Sequence, residues 1–128
     1  MIKRELIKSK YNGLCGYSGT KLEDDWQIEH IKPRIAFEIG YEKGNPDDIE
    51  NLIPVQKIIN HYKRGLPLDK FRTWFLGGLH LRLKKLPKNP KNPKSIKRKT
   101  YLLKVASYFG ITESKPFNGQ FYFETIIK

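Results

Sequence analysis

The chain has 128 residues, a net charge of +12 and a pI near 9.8, a length that suits one domain with a single hydrophobic core. Its sequence holds no run of about 18 apolar residues, which excludes a membrane-spanning helix, and its one cysteine, Cys15, excludes an intrachain disulfide or a multi-thiolate metal site. Residues 1–59 carry nine Lys/Arg against ten Asp/Glu, whereas from residue 60 onward sixteen basic residues face only Asp69, Glu113 and Glu124. Between Arg82 and Lys104 stand ten basic side chains and no acidic one. That asymmetry suits a polyanionic partner, nucleic acid first and an anionic membrane surface a distant second. A basic face kept for solubility is the plainer alternative.

The opening "MIKREL" lacks the apolar stretch of a signal peptide, so a cytoplasmic protein is expected. Ile2 to Tyr11 places Ile2, Leu6 and Ile7 on one side of a short amphipathic helix. "NGLCGYSGTKL" follows, with Gly13, Gly16 and Gly19 marking a knuckle or small hairpin. "WQIEHI" alternates like a half-buried strand and stops before Pro33. Residues 33–50 read as a long loop containing the turn "KGNPDD". "NLIPV" is a second strand, with Pro54 marking its exit from the ladder.

In "VQKIINHYKRG", Val55, Ile58, Ile59 and Tyr62 recur at helical spacing and Gly65 supplies a stop. Gln56, Asn60 and Lys63 project together from the opposite, polar side. A further helix is expected from Pro67, packing through Leu68, Phe71, Trp74 and Phe75, until Gly77-Gly78 interrupts it. "LHLRLKKL" fits both periods and is read as helix. "LPKNPKNPKS" is an extended basic connector. Ser95 would cap a last helix that buries Tyr101, Leu102, Val105, Ala106 and Phe109 and ends at Gly110, and "QFYFETII" would close the chain as a strand. The C-terminal aromatics read as core rather than as base-stacking platforms.

Three polar features fall in order: Glu29-His30 ending one strand, Asn51 opening the next, and Asn60 on the following helix. A strand–strand–helix unit can bring them together. Glu29 and Asn60 offer hard oxygen ligands suited to Mg²⁺ or Mn²⁺. The imidazole of His30 can take a proton from water near neutral pH. The amide of Asn51 can hold the loop backbone beside His30. His61 is a rival to Asn60 as a ligand, but it lies about 100° around the helix, away from the Gln56/Lys63 side.

The ordered set "CGYSG…IEHIKPR…ENLIPVQKIINHYKRG" resembles the HNH endonucleases, over roughly Tyr11 to Phe75. The resemblance implies a ββα-metal core over about residues 11–75; with the flanking N- and C-terminal helices, the short C-terminal strand and the basic extension over about 76–128 read above, one α+β domain is expected. The resemblance also implies hydrolysis of DNA, double-stranded first, with His30 as general base, Asn51 as the structural asparagine of the catalytic site, and Glu29 and Asn60 as metal ligands. Lys63 and Arg34, with Lys32 and Arg64 beside them, would contact phosphate. Lys91, Lys94 and Lys97 would add grip from the connector. One such site cuts one strand, so double-strand cleavage would call for a homodimer or a second encounter.

Two departures stand out. Many HNH proteins hold a structural zinc with two Cys-x-x-Cys pairs; here Ser18, Gln56 and Ile59 accompany Cys15 in the four positions, so no structural zinc is expected. Glu29 also replaces the commoner Asp. The competing readings are a non-catalytic basic nucleic-acid-binding module, or a subunit of a larger nucleoprotein assembly such as a ribosomal-type protein.

Overall fold

The computed structural model describes residues 2–126. The chain is α+β with one two-stranded antiparallel sheet, and it forms two compact units. The first runs to Asp69 and takes in the chain again from Phe121; the second is Lys70–Gln120. The ββα core was expected to reach Phe75, six residues past the end of this first stretch.

In the first unit, α1 (Ile2–Ser9) buries Ile7 completely while Leu6 stays half exposed. The side chain of Ile2 lies outside the described residues. Lys10 fastens the end of this helix by donating to the carbonyls of Ile49 and Leu52, at 2.8 and 2.6 Å. The knuckle is pinned by a bridge between Leu14 and Lys21. Gly19 has φ +73°, and a Cβ there would stand 2.7 Å from the Tyr122 ring, so only glycine meets both demands.

Strand β1 (Gln27–His30) pairs with β2 (Leu52–Val55), with Glu29 opposite Ile53 and Ile28 opposite Pro54. Pro54 is inside the register rather than at its exit. The bond from Ile31 N–H to the Asn51 carbonyl, 2.9 Å, sets the alternation. It makes Ile28–Pro54 a non-hydrogen-bonded pair, so the missing N–H of Pro54 faces away from β1. The outward carbonyl of Pro54 accepts from Gly16 N–H at 2.7 Å, which ties the knuckle to the sheet.

The expected long loop contains a single turn of helix, α2 (Arg34–Glu38), started by Pro33, and a 3₁₀ turn at Ile49–Asn51. Proline's fixed φ suits such a start. Helix α3 (Lys57–Lys63) buries Ile59, Tyr62 and Lys63 and ends at Arg64, whose φ of +57° makes the turn expected of Gly65.

The C-terminal strand expected over "QFYFETII" is instead a helical turn, Tyr122–Thr125. The cause is local: the Glu124 carboxylate accepts from Phe121 N–H at 2.9 Å, which closes the turn. The freed N–H groups of Tyr122 and Phe123 donate to the knuckle carbonyls of Tyr17 and Gly16. Phe121 is fully buried with its ring 5.0 Å from that of Tyr17. Ile127 lies outside the described residues.

At the junction α4 (Leu68–Lys70) continues as a π-helical stretch, Phe71–Leu76. Within the second unit, the wider π turn puts Phe71 and Leu76, five apart, in the core and turns Trp74 out, 65% exposed. Trp74 was expected to pack; it carries the Lys70 ammonium 4.4 Å above its ring instead. After Gly77-Gly78 come α5 (Leu79–Lys85) and α6 (Pro93–Phe109), as the helical reading of "LHLRLKKL" anticipates. Helix α6 begins before Ser95: Asn92 is the cap, accepting from Lys94 N–H at 2.8 Å, and Pro93 takes the first position, where no N–H is needed. Leu79, Leu83, Leu102, Val105 and Ala106 are buried, and Gly110 closes the helix at φ +68°. Among the described residues no helix is long and apolar enough to cross a membrane.

Candidate functional site

Side chains alternate along β1, so Gln27 and Glu29 share one face and His30 points the other way. Helix α3 covers the Glu29 face. Asn60 Nδ2 donates to Gln27 Oε1 at 2.8 Å, and Lys63 Nζ lies 2.8 Å from Glu29 Oε2. The other carboxylate oxygen of Glu29 accepts from His30 N–H at 2.9 Å. Glu29 is 8% exposed and Lys63 1%. Lys63, expected from the sequence to contact phosphate, is therefore not presented to one; its ammonium is the buried counter-charge of Glu29. A buried pair of this kind holds because each charge would be costly alone.

His30 faces the loop that follows α2. Its Nε2 lies 2.8 Å from Asp47 Oδ1, and Arg34 donates from one nitrogen to both oxygens of Asp47, at 2.9 and 3.2 Å. The hydrogen bond from His30, and then the Arg34 guanidinium, hold the Asp47 carboxyl below its ordinary value. An ionised carboxylate only accepts, so Nε2 must carry the proton, and in the neutral ring Nδ1 is left with its lone pair.

Asn51 fixes the loop around this pair. Its amide oxygen accepts from Lys32 N–H at 2.8 Å, and its nitrogen donates to the carbonyls of Lys32 and Pro46, at 3.1 and 2.8 Å. The side chain thus joins the segment after His30 to the one before Asp47, the loop-holding part anticipated for it.

Set against known proteins, the chain matches no family model, no curated protein and no solved structure.

The expected site residues divide into two groups. Glu29, Asn60 and Lys63 meet between β1 and α3, while His30, Arg34 and Asn51 meet at the loop, and the backbone of His30 joins the groups. Lys32 is largely exposed and pairs with Glu42 at 3.1 Å. Arg64 and His61 are exposed on or just past α3. Lys91, Lys94 and Lys97 are exposed in the second unit, Lys91 in the connector and the other two on the first turns of α6.

Two residues of this arrangement were missed. Asp47 was read only as part of the turn "KGNPDD"; the signal was an acid in a loop that must return to Asn51. Gln56 was placed on the polar side of α3, but it is 1% exposed. It accepts from Glu23 N–H at 3.0 Å and donates to Thr20 Oγ1 and the Lys21 carbonyl, at 3.1 and 2.7 Å. Ser18 and Thr20 share a hydroxyl contact at 2.7 Å, and Cys15 and Ile59 are fully buried. The Gln56 amide thus ties the knuckle to the start of α3, at one of the four positions compared with a zinc site.

For a hard divalent ion, Glu29 supplies a carboxylate and Asn60 an amide oxygen that its bond to Gln27 does not use. Among the described residues no group of three His, Cys, Asp or Glu side chains is set for a metal. Two oxygen ligands completed by water suit Mg²⁺, which keeps several waters. As folded, both Glu29 oxygens are engaged, Oε1 by His30 N–H and Oε2 beside Lys63, so an ion there would have to displace the Lys63 ammonium.

Proposed function

We propose that the chain is a metal-dependent endonuclease of the HNH, ββα-metal kind that hydrolyses DNA phosphodiester bonds in the cytoplasm. The observation that carries this reading is His30 at the end of β1, with Nε2 engaged by ionised Asp47 and the ring held beside a loop that Asn51 fastens. Nδ1 of His30 takes the proton from the attacking water. Asp47 holds the ring and its tautomer, and offsets the imidazolium charge once the proton has moved. Glu29 and Asn60 would hold Mg²⁺ or Mn²⁺, which when bound supplies charge stabilisation at the scissile phosphate. Lys32 and Arg64, both exposed, meet the phosphates on either side of the cut, and Arg34 adds charge while bracing Asp47.

The test is nicking of supercoiled plasmid with Mg²⁺ or Mn²⁺. His30→Ala should lower the rate by about 10²–10⁴ while leaving the thermal unfolding of the protein near that of wild type. Equal nicking by the variant and wild type would remove His30 from the chemistry. The burial of Lys63 against Glu29 favours a second reading, a basic DNA-binding module whose ββα unit holds its own cation and does not cut. That reading expects duplex binding without nicking in either metal.

A further inference from the structure

The second unit holds a cleft of about 280 Å³ between α5 and the start of α6, lined by Arg82, Lys85, Leu86, Pro87, Ser95 and Arg98. Three of these six side chains are cationic and none is acidic. The guanidinium of Arg82 is fixed on the cleft wall, donating to the carbonyls of Trp74, at 3.2 Å, and Phe75. Among the described residues Lys85 and Arg98 have no ion-pair partner, and the Ser95 hydroxyl has no hydrogen-bond partner. Leu86 and Pro87 give the floor an apolar part that lowers the local dielectric and strengthens the field of the cations.

Like charges converging on one concave site repel, and no carboxylate between Arg82 and Lys104 relieves them. An anion relieves them. We infer that this cleft is a phosphate-binding site that seats one backbone phosphodiester of a nucleic acid. Arg98 presents a planar fork to two phosphate oxygens, Lys85 a point charge, and Ser95 a hydroxyl donor. The ligand class follows from the set: three cations and a hydroxyl line one cleft and no carboxylate does. The ten basic side chains and no acidic one between Arg82 and Lys104 favour a polyanion over a small molecule. The inference extends the nucleic-acid reading above but does not depend on cleavage.

The experiment is fluorescence anisotropy of the full chain with a labelled duplex, in chelator so that nothing is cut, over a range of salt. Lys85→Gln/Arg98→Gln should flatten the dependence of log affinity on log salt by about 0.9 for each lost contact. Arg98→Lys, which keeps the charge and loses the fork, should weaken binding several-fold with the slope nearly kept. As a matched loss of charge on the same unit, Lys91→Gln/Lys94→Gln should weaken binding less. A wild-type slope for Lys85→Gln/Arg98→Gln overturns the inference. So does a loss no larger than that of Lys91→Gln/Lys94→Gln with Arg98→Lys indistinguishable from wild type, since a diffuse field would then explain all of it. Calorimetry with inorganic phosphate separates the remaining source: binding that vanishes in Lys85→Gln/Arg98→Gln while duplex affinity is unchanged would reassign the cleft to a small phosphate ligand. Because nicking is read separately, failure of the cleft and failure of the nuclease reading give different results.

Discussion

The two units handle charge in opposite ways. The buried polar side chains among the described residues are Glu29, Asn51, Gln56 and Lys63, all in the first unit and each paired with charge or backbone. In the second unit the core is apolar, and the cations stand on the surface or around an open cleft. Buried polar groups are costly unless satisfied, and they tolerate one arrangement. Exposed cations are weakly constrained and act at a distance. The first unit is therefore built for fixed geometry and the second for attraction. Removing a partner in the first should be expensive and local, whereas changes in the second should be cheap for folding and felt in binding.

The largest break in that contrast is Lys63→Met, which leaves the Glu29 carboxylate buried without its cation. Breaking such a pair from one side is expected to lower stability by about 3–5 kcal/mol, whereas Glu29→Leu/Lys63→Met should recover most of it. Urea denaturation measures both; equal losses for the single and double variants would show that the pair is not what fixes α3 on β1. If Glu29 is a metal ligand, Mn²⁺ should raise the stability of Lys63→Met more than that of wild type, because binding no longer displaces the ammonium.

Next is Asp47, where the expected change is in rate more than in folding. Asp47→Asn keeps the shape but can donate as well as accept, so the tautomer of His30 is no longer enforced. Nicking should fall by roughly 10²–10⁴, mostly in kcat with KM little changed. The pH dependence of stability offers a second readout. Because the folded carboxyl lies below its ordinary value of 3.8, its contribution is complete above that pH and is lost as pH falls through the lower folded value. Wild type should therefore lose more stability than Asp47→Asn on acidification below about pH 4. Parallel acid profiles would remove the His30–Asp47–Arg34 contact from the account.

What could be read from the sequence follows the same division. The strand–strand–helix order and the junction of Glu29 with His30 were legible because each depends on residues close in sequence or on simple periodicity. The loop-holding amide of Asn51, whose partner Lys32 lies 19 residues away, was legible only from its place in the ordered motif. Asp47 and Gln56 were not legible, since their partners lie 13 to 36 residues away and no period marks them. Lys63 was misplaced for a related reason. Helical spacing put it beside Gln56 and Asn60, but a polar side of a helix is not always its wet side, and here a facing carboxylate drew it inward. The C-terminal turn defeated β-propensity: Phe121, Tyr122 and Phe123 favour strands, but the bond from Phe121 N–H to Glu124 and the carbonyls of the knuckle offered their backbone other partners.

The smallest effect belongs to the second unit. Asn92 caps the 17-residue α6 through a single bond to Lys94 N–H, and the cap is exposed. Asn92→Ala should lower stability by about 1 kcal/mol, seen as a small shift in the urea midpoint. No partner is left buried by the change, so the loss stops at the cap itself. The first turn of α6 also carries Ser95, on the wall of the basic cleft, so fraying there should loosen that hydroxyl while leaving Lys85 in place. Duplex affinity in chelator is therefore expected to fall by less than for Lys85→Gln/Arg98→Gln, with an unchanged salt slope, because no charge has been removed. A slope that changes with this neutral substitution would mean that the cations depend on the cap for their placement, and that the second unit is as geometrically exacting as the first.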